Sequence, residues 1–190
     1  MKNHWIIALK ITATTIIVFG VLYPLLITGI AKLIGPNGGK GQQILVDGKV
    51  VGFELIGQKF DDEKYFNSRP SAVDYDASGT GGSNKGPTNP EYLAEVQARI
   101  DTFLLRNPEV KKEDIPVDIV TASGGGLDPH ISPRAAKVQI ARIANVRNIN
   151  PEKLEALVND YIEQPIFGLG TQRVHVLRLN LALDALSNNK

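Results

Sequence analysis

Residues 11–31 read ITATTIIVFGVLYPLLITGIA and contain no charged side chain. Lys10 precedes this stretch and Lys32 follows it. A helix of this length would be about 31 Å long, which matches the hydrocarbon core of a bilayer. Apolar residues would occur on every side of it, as contact with lipid requires. The stretch predicts a single, uncleaved transmembrane helix over residues 11–34, after a cytoplasmic N-terminus at residues 1–10.

Three residues, one before this stretch and two inside it, indicate contacts in the membrane. Trp5 lies where an aromatic anchor at the membrane–water interface is expected. Pro24, after Tyr23, would weaken a helix in water by about 3 kcal/mol, but transmembrane helices tolerate proline where neighbouring helices support them. Tyr23 and Pro24 therefore suggest a partner helix in the membrane.

Other interpretations of the stretch are weaker. A buried core helix is rarely so long and so free of charge. A cleaved signal peptide has an apolar region of about 7–15 residues, although residues 29–31 offer a passable small-residue cleavage site. A lipoprotein is excluded because lipidation requires a cysteine, and the chain has none.

Charges flanking the helix predict its orientation. Lys2, Lys10 and the terminal amine concentrate positive charge at the N-terminus, whereas Lys32 is followed by the uncharged residues 33–39. Positive charge favours the cytoplasmic side. The N-terminus is therefore predicted to be cytoplasmic and the C-terminal part extracytoplasmic.

Composition limits what the remaining chain can do. A net charge of +1 gives no strong field for nucleic acid. The absence of cysteine excludes disulfides, thiolate metal sites and cysteine nucleophiles, and three histidines, one of them before the helix, argue against a histidine-rich metal centre. A linker at residues 35–43 and one domain at residues 44–190 are expected.

The order of predicted elements indicates an α+β domain. A hairpin with an Asp47-Gly48 turn is predicted over residues 44–56. A cap residue followed by proline starts each of three predicted helices, and short strands and a last helix complete the pattern without regular alternation. The helices begin at Asn89-Pro90 (to about Arg106), Ser132-Pro133 (to about Arg147) and Asn150-Pro151; the strands cover 115–120 and 174–177, and the last helix 179–186.

Two polar, glycine-rich loops are the candidate functional segments. The loop 67–89 is longer than most loops of compact domains, which are functional or disordered at that length, and we expect an ordered binding loop. The second loop, 123–130, reads SGGGLDPH. Glycines between a strand and a helix can hold an anion on backbone amides. This loop, however, lacks the Gly-Lys-Ser/Thr ending of a P-loop, and its glycines are consecutive instead of spaced as in the Rossmann fingerprint. A tight turn is therefore favoured over an anion site.

No catalytic set is predicted. Ser123, Asp128 and His130 suggest a triad, but a Gly-x-Ser-x-Gly elbow is missing and Asp128 before proline is a common turn starter. Arg69 could bind phosphate or carboxylate, although an exposed loop arginine is the more ordinary interpretation. His175 alternates with valines, which predicts a polar surface. Two function classes stay open: an accessory subunit of a membrane complex, and an anchored enzyme or solute-binding module with an anion site at residues 123–128.

Several short motifs, spread in order over nearly the whole chain, together carry a family resemblance. The chain resembles the C subunit of Kdp-type high-affinity potassium-transporting P-type ATPases. Lys85 and His175 depart from the family pattern, where an apolar residue and an asparagine are more usual. The matching motifs are Tyr23-Pro24-Leu25-Leu26, Thr28-Gly29, Gly57-Gln58, Tyr65-Phe66, Arg69-Pro70-Ser71-Ala72, Gly82-Ser83-Asn84, Thr121 through Asp128, and Leu179 through Leu183.

The resemblance implies a complex in a bacterial plasma (inner) membrane. A channel-like subunit selects potassium, a P-type subunit hydrolyses ATP, a small single-helix subunit stabilises them, and this chain is the single-pass accessory subunit. ATP and potassium then belong to the complex, and this chain is expected to hold no cofactor or metal and to have no nucleic-acid partner. The family is described as a catalytic chaperone that raises the ATP affinity of the hydrolysing subunit. Because ATP is cytoplasmic, this role is difficult to reconcile with an extracytoplasmic domain.

An alternative is that the domain caps the extracytoplasmic ion entrance, with Ser83, Asn84 and Asp128 along a hydrated approach. The candidate partner or ligand contacts are Arg69, Ser71, Ser83, Asn84, Ser123, Asp128 and His130, with Trp5, Tyr23 and Pro24 in the membrane anchor.

Overall fold

Two compact units, residues 1–53 and 54–190, make up the chain. The computed structural model describes residues 2–165 and 168–188. The first unit holds a long helix and a hairpin, and the second holds helices and short strands. The predicted α+β fold class is confirmed.

The N-terminal helix is continuous but changes its winding. It consists of α1 (Lys2–Thr15), a π-helical segment (Ile16–Leu22) and α2 (Tyr23–Ile34). The amide of Tyr23 donates to the carbonyl of Val18, five residues earlier. Pro24 has no amide to donate, and its ring would clash with a carbonyl one turn earlier, so the wider π turn accommodates it.

The length and composition of this helix suit a membrane span. Residues His4–Ile34 form 31 helical residues with a mean hydropathy of 2.1 in the most apolar window, and none of that window is buried. Trp5 and Tyr23 are exposed on the helix surface, at 76% and 56%.

The predicted hairpin is confirmed. Strands β1 (Gln43–Val46) and β2 (Lys49–Phe53) pair antiparallel, with Val46 opposite Lys49. Asp47 and Gly48 have φ values of +50° and +76°, which a two-residue hairpin turn requires and which Asp-Gly tolerates.

The three predicted helix starts of the second unit are confirmed by their N-cap hydrogen bonds. The side chains of Asn89, Ser132 and Asn150 accept hydrogen bonds from the amides of Tyr92, Ala135 and Glu152. Each cap precedes a proline at the first helical position. The helices are α3 (Pro90–Arg106), α4 (Pro133–Lys137), α5 (Ile140–Arg147) and α6 (Pro151–Asp160).

Two sequence predictions are wrong in this unit. One helix was expected through Arg147, but the chain tightens at Gln139, whose amide donates to Ala136 three residues earlier, and this turn separates α4 from α5. Residues 115–120, expected as a strand, contain the 3₁₀-helix Val117–Ile119, after another at Lys112–Asp114. Pro116 starts the second turn, and its carbonyl accepts from Ile119.

A small sheet and a C-terminal helix complete the unit. Strands β3 (His130–Ile131), β4 (Ile162–Glu163) and β5 (Arg173–His175) pair antiparallel in the order β3-β5-β4. Helix α7 (Val176–Asn188) follows β5 directly, so the predicted strand 174–177 is shorter than expected. The fully buried apolar core includes Phe66, Ile131, Ile143, Leu154, Leu179 and Leu183.

Candidate functional site

The two glycine-rich loops are bonded to each other. The hydroxyl of Ser71 donates to the carbonyl of Gly126 at 2.8 Å, and that of Thr80 donates to the carbonyl of Gly125 at 2.7 Å. The amides of Gly81 and Ser123 donate to the carbonyls of Gly125 and Pro70. The loop 67–89 is thereby held against the loop 123–130 through backbone and hydroxyl groups.

Glycine is required at one point of this contact, Gly126, and at a second point beside it, Gly57. Gly126 has a φ of +73°, and a Cβ added there would lie 2.5 Å from Val73 Cγ2. A Cβ at Gly57 would lie 2.5 Å from the carbonyl oxygen of Asp128, because Gly57 donates its amide to the adjacent Leu127 carbonyl. These contacts are those expected of a tightly packed turn.

Arg69 and Asp128, 59 residues apart in sequence, form the charged centre of the site. Arg69 Nη1 lies 3.0 Å from Asp128 Oδ2, and both side chains are partly buried. Asp128 Oδ1 also accepts the amide of His130 at 3.0 Å. Burial opposes ionisation of Asp128, but the ring and amide of His130 and the Arg69 guanidinium outweigh it and hold the pKa of Asp128 below its ordinary value. Asp128 is therefore an ionised acceptor near neutral pH.

His130 lies between two carboxylates. Its Nδ1 is 3.6 Å from Asp128 Oδ1, and its Nε2 is 3.6 Å from Glu163 Oε2. Its ring meets the ring of His175 edge-on, with centroids 5.2 Å apart. Ser123 is buried, and in residues 2–165 and 168–188 no hydrogen bond joins it to His130. The described geometry therefore does not assemble a nucleophile with a base.

The prediction that His175 faces a polar surface is wrong. His175 is 1% exposed, because β5 is the central strand of its sheet and both faces are covered. Its Nε2 lies 2.9 Å from the carbonyl oxygen of Glu54, and its Nδ1 accepts the amide of Arg178. Burial lowers the pKa of His175, so the neutral imidazole donates to Glu54 from Nε2. Glu54 in turn pairs with Arg178 at 2.6 Å.

A polar cavity of about 540 Å³ opens beside the ion pair. Arg69, Asp128 and His130 line one part of it, and Asp118, Ser132 and Arg173 line another. Asp118 is engaged, since its carboxylate accepts the amide and hydroxyl of Ser132. Within the described ranges, no group of three or more histidine, aspartate or glutamate side chains could hold a metal ion.

All seven candidate contacts lie in the two connected loops, but only five of them take part in the contacts around the Arg69–Asp128 pair. Arg69, Ser71, Ser123, Asp128 and His130 share the loop contacts described above. Ser83 and Asn84 are exposed, and Asn84 has a φ of +54°. Lys85 turns towards α3, where it pairs with Glu95 at 2.5 Å.

A buried polar cluster was not predicted from the sequence. Arg142 donates to the carbonyls of Glu63 and Tyr65, to the Asn67 side chain and to Gln139. Gln139 accepts the Asn67 amide, and Asn180 bonds both backbone groups of Phe66. One local signal was available, because Asn180 is a polar residue within the apolar run Leu179–Leu183.

Comparison with known proteins assigns the family. Residues 5–185 match the family described as KdpC: K+-transporting ATPase, c chain. The chain is 56% identical over 186 residues to the potassium-transporting ATPase KdpC subunit of Flavobacterium psychrophilum, covering 98% of this chain and 100% of that protein. It is 57% identical to the subunit of that name in Flavobacterium johnsoniae, with the same coverage. It is 49% identical to that of Methylococcus capsulatus over 190 residues, 98% of this chain and 100% of that protein. The chain belongs to the KdpC family, the c chain of K+-transporting ATPases.

Proposed function

We propose that this chain is the accessory, non-hydrolysing subunit of an ATP-driven, high-affinity potassium uptake complex, where it stabilises or assembles the channel-like and P-type subunits. The observation that carries this is the long apolar helix, none of whose most hydrophobic window is buried, joined to a domain of polar loops. Such a helix requires lipid or other helices around it. A small single-helix subunit would complete the complex.

We also propose that the N-terminus is cytoplasmic and that the domain is extracytoplasmic in a bacterial inner membrane. Because the chain has no cysteine, His4→Cys and Lys153→Cys each introduce the only thiol, both at exposed positions. An impermeant thiol reagent should label Lys153→Cys in intact cells or spheroplasts, and His4→Cys only after lysis. The opposite pattern would place the domain in the cytoplasm.

The proposed catalytic chaperone role then acts at a distance. A domain outside the membrane does not touch cytoplasmic ATP, so a rise in ATP affinity of the hydrolysing subunit must come from preference for one conformational state. ATP and potassium would be bound by other subunits. The test is the KM for ATP of complexes assembled with and without this chain: an equal KM contradicts the role.

A second candidate is a cap on the extracytoplasmic ion entrance. It is favoured by the ionised Asp128 carboxylate at the wall of an open polar cavity. Replacing both Asp128 and Asn84 by alanine should then weaken potassium affinity or assembly. Asp160→Ala, at an exposed position of α6, is the control. Unchanged affinity and assembly in the double variant would rule out the cap.

The anchored enzyme or solute-binding module, with an anion site at residues 123–128, is tested separately. The detergent-purified full chain is assayed on generic ester and phosphate substrates and for phosphate binding. We expect neither turnover nor binding, and turnover would contradict the accessory role.

A further inference from the structure

A second cavity, of about 400 Å³, lies between residues 59–75 and α3. Its size falls within the range of ligand pockets. Arg69 lines both this cavity and the polar one beside Asp128. We call it the α3 cleft, and its charged lining residues are Lys59, Arg69, Arg99, Arg106, Asp61 and Asp74.

The positive charges of the α3 cleft exceed the negative ones. Lys59 lies 2.8 Å from Asp74 and 3.5 Å from Asp61, so the two carboxylates of the lining share one ammonium group. Arg69 is paired with Asp128, which lies outside the cleft. Arg99 shares the carboxylate of Glu95 with the closer Lys85, and Arg106 adds a further positive charge.

Arg99 and Arg106 share one face of α3, because seven residues make about two helical turns. Arg99 Nη2 lies 3.6 Å from Glu95, and its Nη1 donates to the Val120 carbonyl at 3.4 Å. Arg106 Nη1 donates to the Asp61 carbonyl at 3.5 Å, and in the described part of the chain Arg106 has no ion pair. A guanidinium has five N–H donors, so most donors of both arginines stay available.

The floor between these charges is aromatic and fixed. Phe103 is 8% exposed, and Phe60 packs edge-on against Tyr65 with centroids 5.7 Å apart. The hydroxyl of Tyr75 donates to the Arg69 carbonyl. Burial raises the pKa of Tyr75 to about 12, so this side chain stays neutral near neutral pH. The cleft therefore keeps an apolar floor and a positive rim.

We propose that the α3 cleft binds a carboxylate side chain in an acidic segment of another subunit of the K+-transporting ATPase; the inference rests on the proposed accessory function. Paired guanidinium groups match carboxylates in geometry and charge, and an aromatic floor receives the methylene groups that carry them. The same charges repel potassium, so the α3 cleft is not part of an ion path.

The test is a photo-crosslink in the full complex in bacterial membranes. Thr102 lies between the two arginines, is exposed and lines the cleft, and its hydroxyl donates to the Ala98 carbonyl within α3. Benzoylphenylalanine at position 102 should crosslink to a peptide of another subunit that contains aspartate or glutamate. The double variant R99E/R106E should lower the yield by about tenfold or more.

The control variant K111E/K153E makes the same change of charge at exposed positions outside the cleft and should keep the yield. A crosslink to lipid, no crosslink in an assembled complex, or an unchanged yield in R99E/R106E would each overturn the proposal. Failure of the unaltered chain to co-purify with a channel-like subunit would instead count against the proposed function.

Discussion

The N-terminal helix and the interior of the second unit use polar and apolar side chains in opposite ways. Along the helix, large apolar residues such as Leu25 and Leu33 are exposed, at 65% and 85%. Inside the second unit, Gln139, Arg142 and Asn180 are buried. The helix satisfies its own backbone hydrogen bonds, so its side chains are free to meet lipid or a partner.

The irregular segment 58–68 explains the polar interior. It contains no strand ladder or helix, so its buried backbone groups need other partners. Asn180, Gln139 and Arg142 supply them from α7, from the turn between α4 and α5, and from α5. The buried polar side chains thus replace secondary structure for this segment, and the predictions below test that difference.

The largest expected effect is at Arg142. Arg142→Met would remove the donor that Arg142 supplies to the Asn107 side-chain oxygen and to the carbonyls of Glu63 and Tyr65, so we expect a loss of about 3–5 kcal/mol in the free energy of unfolding. Arg134→Met is the control, since Arg134 is exposed and its contact with Asp114 is 3.4 Å. Pulse proteolysis in urea on the detergent-solubilised chain measures both. Equal losses would contradict a special role for Arg142.

Asn180→Leu should cost about 2–3 kcal/mol. The Asn180 amide accepts the Phe66 amide at 2.9 Å and donates to the Phe66 carbonyl at 2.9 Å, so the substitution leaves both groups buried without partners. Asn180→Asp would bury a carboxylate against the Phe66 carbonyl oxygen, so a loss at least as large is expected at neutral pH in the same assay. A neutral Asn180→Leu would mean that the backbone of Phe66 finds water or another partner.

Gly126→Ala tests the contact between the two loops. We expect a loss of about 1–3 kcal/mol, because φ is positive and the new methyl group would overlap Val73. Gly124→Ala is the matched control: nothing lies within 4 Å of the added Cβ, and no positive φ is involved. Faster hydrogen exchange of residues 71–81 should accompany Gly126→Ala alone. A loss as large in Gly124→Ala would show that the loop needs glycine for another reason.

The sequence predicted those features that depend on near neighbours. The caps at Asn89, Ser132 and Asn150 each bond within three residues, so local chemistry decides them. The buried cluster is different, because Asn180 reaches Phe66 across 114 residues. The alternation of His175 with valines could not reveal that β5 is the central strand of its sheet, where His175 is buried.

The candidate site likewise depends on contacts between residues that are far apart in sequence. The sequence makes Arg69 and Asp128 candidate contacts separately, but their pairing spans 59 positions and emerges only when the loops fold together. The α3 cleft joins two segments whose contact no local pattern predicts.

Acid should affect stability through His175 before it affects the carboxylates. Because burial lowers the pKa of His175 from 6.5, the unfolded chain binds the proton first, and stability falls as pH decreases below about 6.5. Asp128 has a lowered pKa too, but its contribution is lost only below about pH 4. His175→Asn keeps a donor for Glu54 and should flatten the slope below about pH 6.5. An unchanged slope would assign it to another group.

The smallest effect on the second unit is expected at Pro24. Pro24→Ala restores an amide donor in the helix and allows the π turn at Ile16–Leu22 to become regular. Because the substitution changes no residue of the second unit, the free energy of unfolding of that unit should change by less than about 0.5 kcal/mol. Assembly is the sensitive readout: if the wide turn presents a surface to a partner helix, co-purification of the complex falls while the second unit stays folded. Unchanged co-purification would leave the π turn as a local accommodation of proline, with no part in assembly.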